Sequence, residues 1–183
     1  MTKGIVSGVV SNMVTLRVDG PVLQGEICYI TTGGDRLMAE VIKVVGSDVY
    51  VQVFESTRGL KVGSQAEFTG HQLEIQLGPG MLSKNYDGLQ NDLDKMDGVF
   101  LRRGQYTAPL DEDRLWDFEP IVKAGDRVQG SDWLGKVEEN HQPLKIMAPF
   151  QMEGIAVVKS IVPSGQYKVN DTIAVLTTEA GED

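Results

Sequence analysis

Short apolar runs alternate with polar residues through the first part of the chain. The clearest is DVYVQVFE, residues 48–55, in which Val49, Val51 and Val53 are separated by polar or aromatic residues. A period of two places these valines on one face, as in a β-strand that packs one side against a core. Similar runs recur at a spacing of roughly eight to twelve residues with glycine between them, which is typical of β-sandwiches and β-barrels. The pattern predicts a mainly β protein.

Strand regions are predicted in this part of the chain at residues 4–18, 22–32, 36–45, 49–55 and 65–69. The first region is long enough to bend at Gly8 or Asn12 into two strands, and Gly46-Ser47 is suited to a tight turn. Closing short strands into a barrel removes their exposed edges. We therefore expect residues 1–68 to form a small N-terminal β-barrel.

The next stretch, residues 69–112, has a different pattern. Apolar residues fall at helical spacings of three and four residues at Leu82, Tyr86, Leu89, Leu93 and Met96. Gly88 interrupts them, at a cost of about 1 kcal/mol relative to alanine in a helix. The pattern predicts a short, partly helical connector with one or two helical turns, followed by extended chain.

The β pattern resumes in residues 113–183, where two similar phrases occur. Residues 122–134 and 162–173 both follow V-x-x-G-x-x-V-x-x-D-x-[LI] when a short length difference is allowed. An internal repeat of this kind indicates two related structural units. We expect a second all-β domain with two pseudo-repeated hairpins.

Composition and charge narrow the classes of function. The chain has 183 residues with a formal net charge of −9, which disfavours nucleic acid and anionic membranes as partners. It has neither an apolar run long enough to cross a bilayer nor a signal peptide at its start. We therefore expect a cytoplasmic protein with no direct membrane insertion. The single cysteine, Cys28, lies in an apolar run and is expected to be buried.

The segment GSDWLGKV, residues 130–137, resembles a phosphate-binding loop up to its last position. Val137 stands where that loop needs the hydroxyl of Ser or Thr, and Pro143 ends the polar run that follows before a helix could form. We interpret the segment as a turn and the start of a strand, with Gly130 and Gly135 supplying turn and bend conformations.

Lys145 is the candidate for a covalently attached cofactor. Biotin and lipoate carriers consist of two similar half-repeats with the modified lysine at a hairpin tip between them, and the order of elements here resembles theirs. However, Leu144 precedes the lysine and Pro149 follows it closely. A strand lysine that points to solvent is the alternative.

Other candidate residues carry little chemistry. His71 and His141 lack metal ligands at suitable spacing, so no zinc site is predicted. An acidic cluster that misses the calcium-loop spacing is interpreted as a solvated helix face: Asp87, Asp92, Asp94 and Asp97. The adjacent Arg102 and Arg103 are interpreted as a surface feature that could pair with a phosphate or carboxylate. The sequence predicts no catalytic, cofactor-binding or metal-binding residue.

Several motifs together resemble one family. GPGMLSKNYDGLQ, residues 78–90, resembles G-P-G-L-L-x-x-x-x-D-G-I-Q in the catalytic A subunits of V-type and archaeal-type rotary ATPases. Residues 55–63 (ESTRGLKVG), 100–104 (FLRRG), 116–120 (WDFEP) and 141–154 resemble further motifs of those subunits. The resemblance covers essentially the whole chain, although Asn91-Asp92 stands where most members have Arg-Pro.

The resemblance implies a role as the N-terminal scaffold of an enzyme that couples ATP hydrolysis or synthesis to proton or sodium transport. In that family three A and three B subunits alternate in a hexamer. Residues 1–68 would belong to the crown that holds this ring together, and residues 113–183 would be the bulge that meets the peripheral stalk. The P-loop would lie beyond Asp183, so Mg-ATP or ADP is expected to bind only the full-length subunit.

The same resemblance implies a cytoplasmic location, with membrane association only through the assembled ATPase complex. On its own, the chain is not expected to be an enzyme. Two alternatives from other classes stay open at this point: a biotin- or lipoate-type carrier, and a non-catalytic β-barrel binding module.

Overall fold

A computed structural model describes residues 2–96, 98, 100 and 102–178 of the chain. The chain divides into two compact units, which we call the barrel unit and the two-sheet unit. The barrel unit comprises Met1–Ile75 and Lys95–Thr107, and the two-sheet unit comprises Gln76–Asp94 and Ala108–Asp183. The stretch expected to be a separate connector, residues 69–112, is thus shared between the two units.

Six antiparallel strands close the barrel unit in the order β1-β2-β5-β4-β3-β6. Their bounds are Lys3–Val10 (β1), Met13–Val18 (β2), Glu26–Thr32 (β3), Asp35–Val45 (β4), Asp48–Val53 (β5) and Gln65–Gln72 (β6). Pairing of β6 with β1 completes the closure, with Gly4 opposite Ala66. The mainly β fold and the N-terminal barrel are confirmed.

Both predicted turns of the barrel are present. The first strand region is divided by a turn at Ser11-Asn12, and the register of β1 against β2 shifts between Val6 and Gly8. The turn at Gly46-Ser47 joins β4 to β5, and Gly46 has a φ of 60°. This left-handed backbone conformation suits glycine in a two-residue hairpin turn.

The barrel core follows from the period-two pattern. Inward-facing side chains of all six strands form one cluster: Val6, Val14, Leu16, Cys28, Ile30, Leu37, Ala39, Val41, Val49, Val51, Val53, Ala66 and Phe68. Cys28 is fully buried, as predicted. Burial, reinforced by the nearby charge of Glu26, raises the pKa of its thiol to about 12. The thiol is therefore neutral at physiological pH and acts as a small apolar side chain.

Seven strands form the two-sheet unit. Their bounds are Trp116–Pro120 (β7), Arg127–Gln129 (β8), Trp133–Glu139 (β9), Gln142–Met147 (β10), Ile155–Ile161 (β11), Gly165–Tyr167 (β12) and Ala174–Thr178 (β13). One sheet has the order β10-β9-β7-β12 and the other β13-β11-β8. Two apolar clusters fill this unit, one around Trp116 and Phe118 and the other around Leu134 and Val158.

The two-sheet unit has the internal symmetry that the repeated phrases predict. Strand β7 pairs with β9 and β12, whereas β11 pairs with β13 and β8, so each half lends its short strand to the other half. The Asp132 carboxylate accepts a hydrogen bond from the Gln129 amide at 2.9 Å, and the Asp171 carboxylate accepts one from the Lys168 amide at 2.8 Å. The repeated aspartate therefore closes the same turn in both halves.

The predicted connector contains one helical turn among its described residues, a 3-10 helix at Leu93–Lys95. The helical spacing was wrong for the residues before it, because Leu82 and Leu89 lie in turns and Tyr86 forms an isolated β-bridge with Asp92. Ser83 and Gln90 have φ angles of 63° and 60°, which a right-handed helix does not allow. Among the helices that the structure describes, none has the length and apolar character needed to cross a membrane.

Candidate functional site

The segment that resembled a phosphate loop is a turn followed by a strand. Residues 130–131 form the turn and β9 begins at Trp133, as the sequence predicted. The Ala148 amide donates to the Asp132 carbonyl at 2.8 Å, which closes the base of this turn. Strand β9 then continues into a hairpin with β10, so no helix N-terminus is available here to face an anion.

The lysine of this segment forms an ion pair with a carboxylate. The Lys136 ammonium lies 2.8 Å from the Glu119 carboxylate on the neighbouring strand β7. This hydrogen bond and the negative charge raise the lysine pKa above its usual value. Val137 is buried in the cluster with Trp116 and Phe118. The segment therefore has a structural role as a turn and a strand of the two-sheet unit.

Gly130 lies in the predicted turn, and Gly135 lies within strand β9. Neither Gly130 nor Gly135 has a positive φ. A Cβ atom on Gly130 would lie 3.1–3.2 Å from three carbonyl oxygens, and one on Gly135 would overlap the Phe118 ring. At Gly135 only glycine avoids this overlap, and at Gly130 a side chain would crowd the three carbonyl oxygens.

Lys145 lies within strand β10, opposite Lys136, and not at a hairpin tip. Its ammonium lies 3.3 Å from the centre of the Trp133 ring, a cation–π contact on the outer face of the sheet. The structure thus places Lys145 as a strand lysine, the alternative to a carrier lysine. It gives no support to a swinging cofactor arm.

Neither histidine is placed for catalysis or metal binding. His71 is exposed near the end of β6, and His141 is almost fully exposed in the β9–β10 turn, 3.4 Å from the Glu138 carboxylate. Within residues 2–96, 98, 100 and 102–178, no three His, Cys, Asp or Glu side chains are grouped so as to hold a metal ion.

The acidic cluster does not form a solvated helix face. The Asp87 carboxylate accepts hydrogen bonds from the amides of Leu89 and Asn91 and from the Asn91 side chain, at 2.8–2.9 Å. Burial acts to raise the Asp87 pKa, but these hydrogen bonds outweigh it and lower the pKa. Asp87 therefore stabilises a tight loop whose hydrogen bonds are incompatible with a helix.

Asp92 departs furthest from the predicted exposure. It is 1% exposed and lies 3.3 Å from the Lys84 ammonium, which also approaches Asp94 at 3.9 Å. A buried carboxylate requires such a partner because its desolvation is costly. Asn91-Asp92, the pair that departs from the family pattern, thus belongs to the internal bonding of this loop. Asp97 lies outside the described residues.

Side-chain hydrogen bonds fasten the loop of residues 76–94 to the β9–β10 hairpin of the two-sheet unit and close the loop on itself. The buried Glu139 carboxylate accepts from the Leu82 amide at 2.9 Å, and the Asn140 side chain donates to the Ser83 hydroxyl at 3.1 Å. The Gln90 side chain bonds both the amide and the carbonyl of Gln76 at 2.7 Å. The Gln90 side chain thus bonds the Gln76 backbone as a neighbouring strand would.

Arg103 was also misjudged as a surface residue. Its guanidinium binds the Asp35 carboxylate at 3.0 and 2.5 Å and donates to the carbonyl oxygen of Arg58. The sequence had suggested a phosphate or a carboxylate as a partner, and the structure shows the carboxylate. No local signal could identify Asp35, because it lies 68 residues earlier in the chain.

The barrel carries a shallow groove of about 350 Å³ on its outer surface. Ile5 lines it and is 54% exposed, while Lys3, Arg17, Asp19 and Glu67 supply charges of both signs to the same lining. Exposed apolar area among charges of both signs is a composition found at protein–protein contacts. The groove offers neither a nucleophile with a neighbouring base nor a metal ligand set.

The fold defines the class of this protein: two all-β units, a closed antiparallel barrel and a two-sheet unit with internal symmetry. A family model described as the ATP synthase alpha/beta family β-barrel domain matches residues 6–70. A second, described as the ATP synthase alpha/beta subunit barrel-sandwich domain, matches residues 107–183. The two ranges together span more than half of the chain. The chain belongs to the ATP synthase alpha/beta family.

Individual relatives agree with this assignment. The V-type ATP synthase alpha chain of Treponema denticola is 44% identical over 183 residues, covering 98% of this chain and 31% of the relative. Those of Borreliella afzelii and Borrelia turicatae are each 44% identical, covering 98% of this chain and 32% of the relative. The chain thus spans about a third of the length of the curated relatives that it matches.

Proposed function

We propose that this chain is the N-terminal scaffold portion of the catalytic A subunit of a V-type ATPase or ATP synthase. The observation that carries the proposal is the agreement between the closed barrel, the two-sheet unit and the two ranges matched by family models. The relatives named V-type ATP synthase alpha chain support the particular subunit. In this role the chain contributes to assembly and leaves the chemistry to the remainder of the subunit.

The barrel is proposed to make the lateral contacts to B subunits within the alternating hexamer. A closed barrel has no free strand edge, so a neighbour must contact its outward side chains and loops. The groove around Ile5 is suited to this contact because it combines apolar area with charges of both signs.

The two-sheet unit is proposed to meet the peripheral stalk. Its outer surface carries exposed apolar side chains, including Trp133, Phe150 and Ile155. A part that resists torque needs a rigid body without reactive groups, and the paired sheets with their bonded loop provide such a body. Association with a membrane would then occur through the assembled complex.

Mg-ATP or ADP is proposed to bind the full-length subunit outside this chain. Lys136, the lysine of the only segment that resembled a phosphate loop, is paired with Glu119 and is followed by a buried valine. Proton or sodium transport coupled to ATP would likewise belong to the whole complex.

The assembly role can be tested by measuring binding of this chain to the B subunit of the same organism by isothermal titration. We expect Ile5→Lys to weaken binding at least about tenfold, because it places an unpaired charge in the centre of the contact. Phe150→Lys, an exposed substitution of the same kind on the two-sheet unit, should leave binding unchanged. Equal affinity of the native chain and the Ile5 variant would contradict the proposed contact.

A further inference from the structure

Residues 102–107 form a segment that lies against the barrel although it follows β6 by some thirty residues of chain. The two family models match residues 6–70 and 107–183, so residues 102–106 of this segment lie outside both matched ranges. We infer that residues 102–107 are a strap that completes the barrel where β5 leaves the sheet, and that Arg103 is the residue that fastens it.

The gap that the strap fills lies at Met38 in β4. In an antiparallel ladder the amide and carbonyl of one residue point to the same neighbouring strand. The Met38 carbonyl accepts the Phe54 amide at 3.1 Å, just beyond the end of β5 at Val53. The Met38 amide donates instead to the Tyr106 hydroxyl at 2.9 Å. Tyr106 therefore replaces the strand partner that β5 no longer supplies.

The same hydroxyl continues the network. Tyr106 is hydrogen-bonded to the Glu55 side chain, and the same carboxylate binds a second residue of the strap, because Glu55 Oε2 accepts the Gly104 amide at 2.9 Å. Burial, together with Glu55, raises the Tyr106 pKa well above its usual value. The hydroxyl thus keeps its proton, accepts from Met38 and donates to the carboxylate. The Tyr106 ring also makes an edge contact with Tyr29 of β3 at 6.2 Å.

Arg103 holds the other end of the strap. Its guanidinium binds the Asp35 carboxylate at the start of β4 and donates to the carbonyl of Arg58 in the loop after β5. Charge-assisted bonds of this geometry are stronger than neutral ones and fix orientation as well as distance. Gly104 follows with a φ of 71°, and a Cβ atom there would lie 3.2 Å from Asp35. A side chain at this position would therefore need a strained left-handed backbone and would crowd the start of β4.

Arg102 provides a matched control within the same segment. It carries the same charge one residue earlier and is exposed. The strap is held by the specific contacts of Arg103, so removal of the positive charge at Arg102 should not release it. The inference concerns the barrel alone and holds independently of the proposed function.

The test is amide hydrogen exchange of the whole chain measured residue by residue by NMR. We expect Tyr106→Phe and Arg103→Ala each to accelerate exchange of the Met38 amide at least about tenfold, a factor that corresponds to about 1.4 kcal/mol. Exchange of the Val51 amide in the barrel core should not change. Arg102→Ala should leave both amides as in the native chain.

Unchanged exchange at Met38 in both strap variants would overturn the inference. Equal acceleration at Met38 and Val51 would also overturn it, because the effect would then be a general loosening of the barrel. An equal acceleration of Met38 exchange by Arg102→Ala would also overturn the inference, because the position of the arginine would then not matter. If Arg103→Ala does not fold, Arg103→Lys serves in its place, since it keeps the charge and removes the forked contact.

Discussion

Charged residues of this chain acquire their roles from partners that are distant in sequence. Arg103 pairs with Asp35 across 68 residues, and the Leu82 amide meets the Glu139 carboxylate across 57. The type of a residue shows that its side chain can form an ion pair or a hydrogen bond, but only the fold determines the partner. This is why the sequence classed Arg103 as a surface residue, whereas it predicted the burial of Cys28, which depends on its immediate apolar neighbours.

Close packing at Gly135 leads to a prediction at the same scale. Gly135→Ala should destabilise the two-sheet unit by about 1–3 kcal/mol, because its methyl group would overlap the Phe118 ring and approach the Glu119 carbonyl. Both tryptophans of the chain lie in this unit, so urea unfolding followed by tryptophan fluorescence reports on it directly.

Gly88→Ala is the matched control for this substitution. Gly88 belongs to the same unit, has no positive φ, and a Cβ atom there would have no neighbour within 4 Å. Its unfolding midpoint should stay close to that of the native chain. Equal destabilisation by both substitutions would show that the space around Gly135 does not matter.

At the scale of elements, the strands were predictable and the long loop was not. Period-two runs located the barrel strands because each buries one face, although β3 begins at Glu26 rather than at residue 22. The strand begins later than predicted because the Glu26 carboxylate closes a turn before it, by accepting a hydrogen bond from the Leu23 amide at 3.0 Å. Residues 76–92 form no helix despite their helical spacing, because apolar spacing is insensitive to backbone hydrogen bonds. The Asp87 and Gln90 side chains compete for those bonds and favour a loop.

The loop should make the two-sheet unit sensitive to acid through Asp87. The pKa of this carboxyl is depressed in the folded chain, so its contribution is fully present above the ordinary value of 3.8 and is lost as pH falls through the folded pKa. Asp87→Asn should lower the free energy of unfolding of the unit at pH 7 by about 1–3 kcal/mol. This difference in stability from the native chain should shrink as the pH falls below 3.8.

Urea titrations from pH 7 to pH 3, again followed by tryptophan fluorescence, measure this difference. Glu112→Gln removes an exposed carboxylate from the same unit and should have little effect at any pH. A difference between the native chain and Asp87→Asn that stays constant down to pH 3 would refute the role of the ionised carboxylate.

At the scale of the whole molecule, the chain passes between its two units at residues 75, 94 and 107. The sequence predicted two β bodies from their strand patterns and the repeat, and it placed a connector between them. It could not predict that residues 95–107 return to the barrel, because this return depends on Asp35, Glu55 and Met38. The motifs that resemble rotary ATPase subunits identified the family from the sequence, and the family matches agree with them.

The most direct test of the proposed scaffold role is to sequence the coding frame of this gene beyond the codon for Asp183. We expect a G-x-x-x-x-G-K-[ST] loop between a strand pattern and a helix pattern within roughly the next hundred residues. That result would make this chain the scaffold portion of a rotary ATPase catalytic subunit. A stop codon directly after Asp183 would contradict the account, because the protein would then have no nucleotide-binding domain to hold in place.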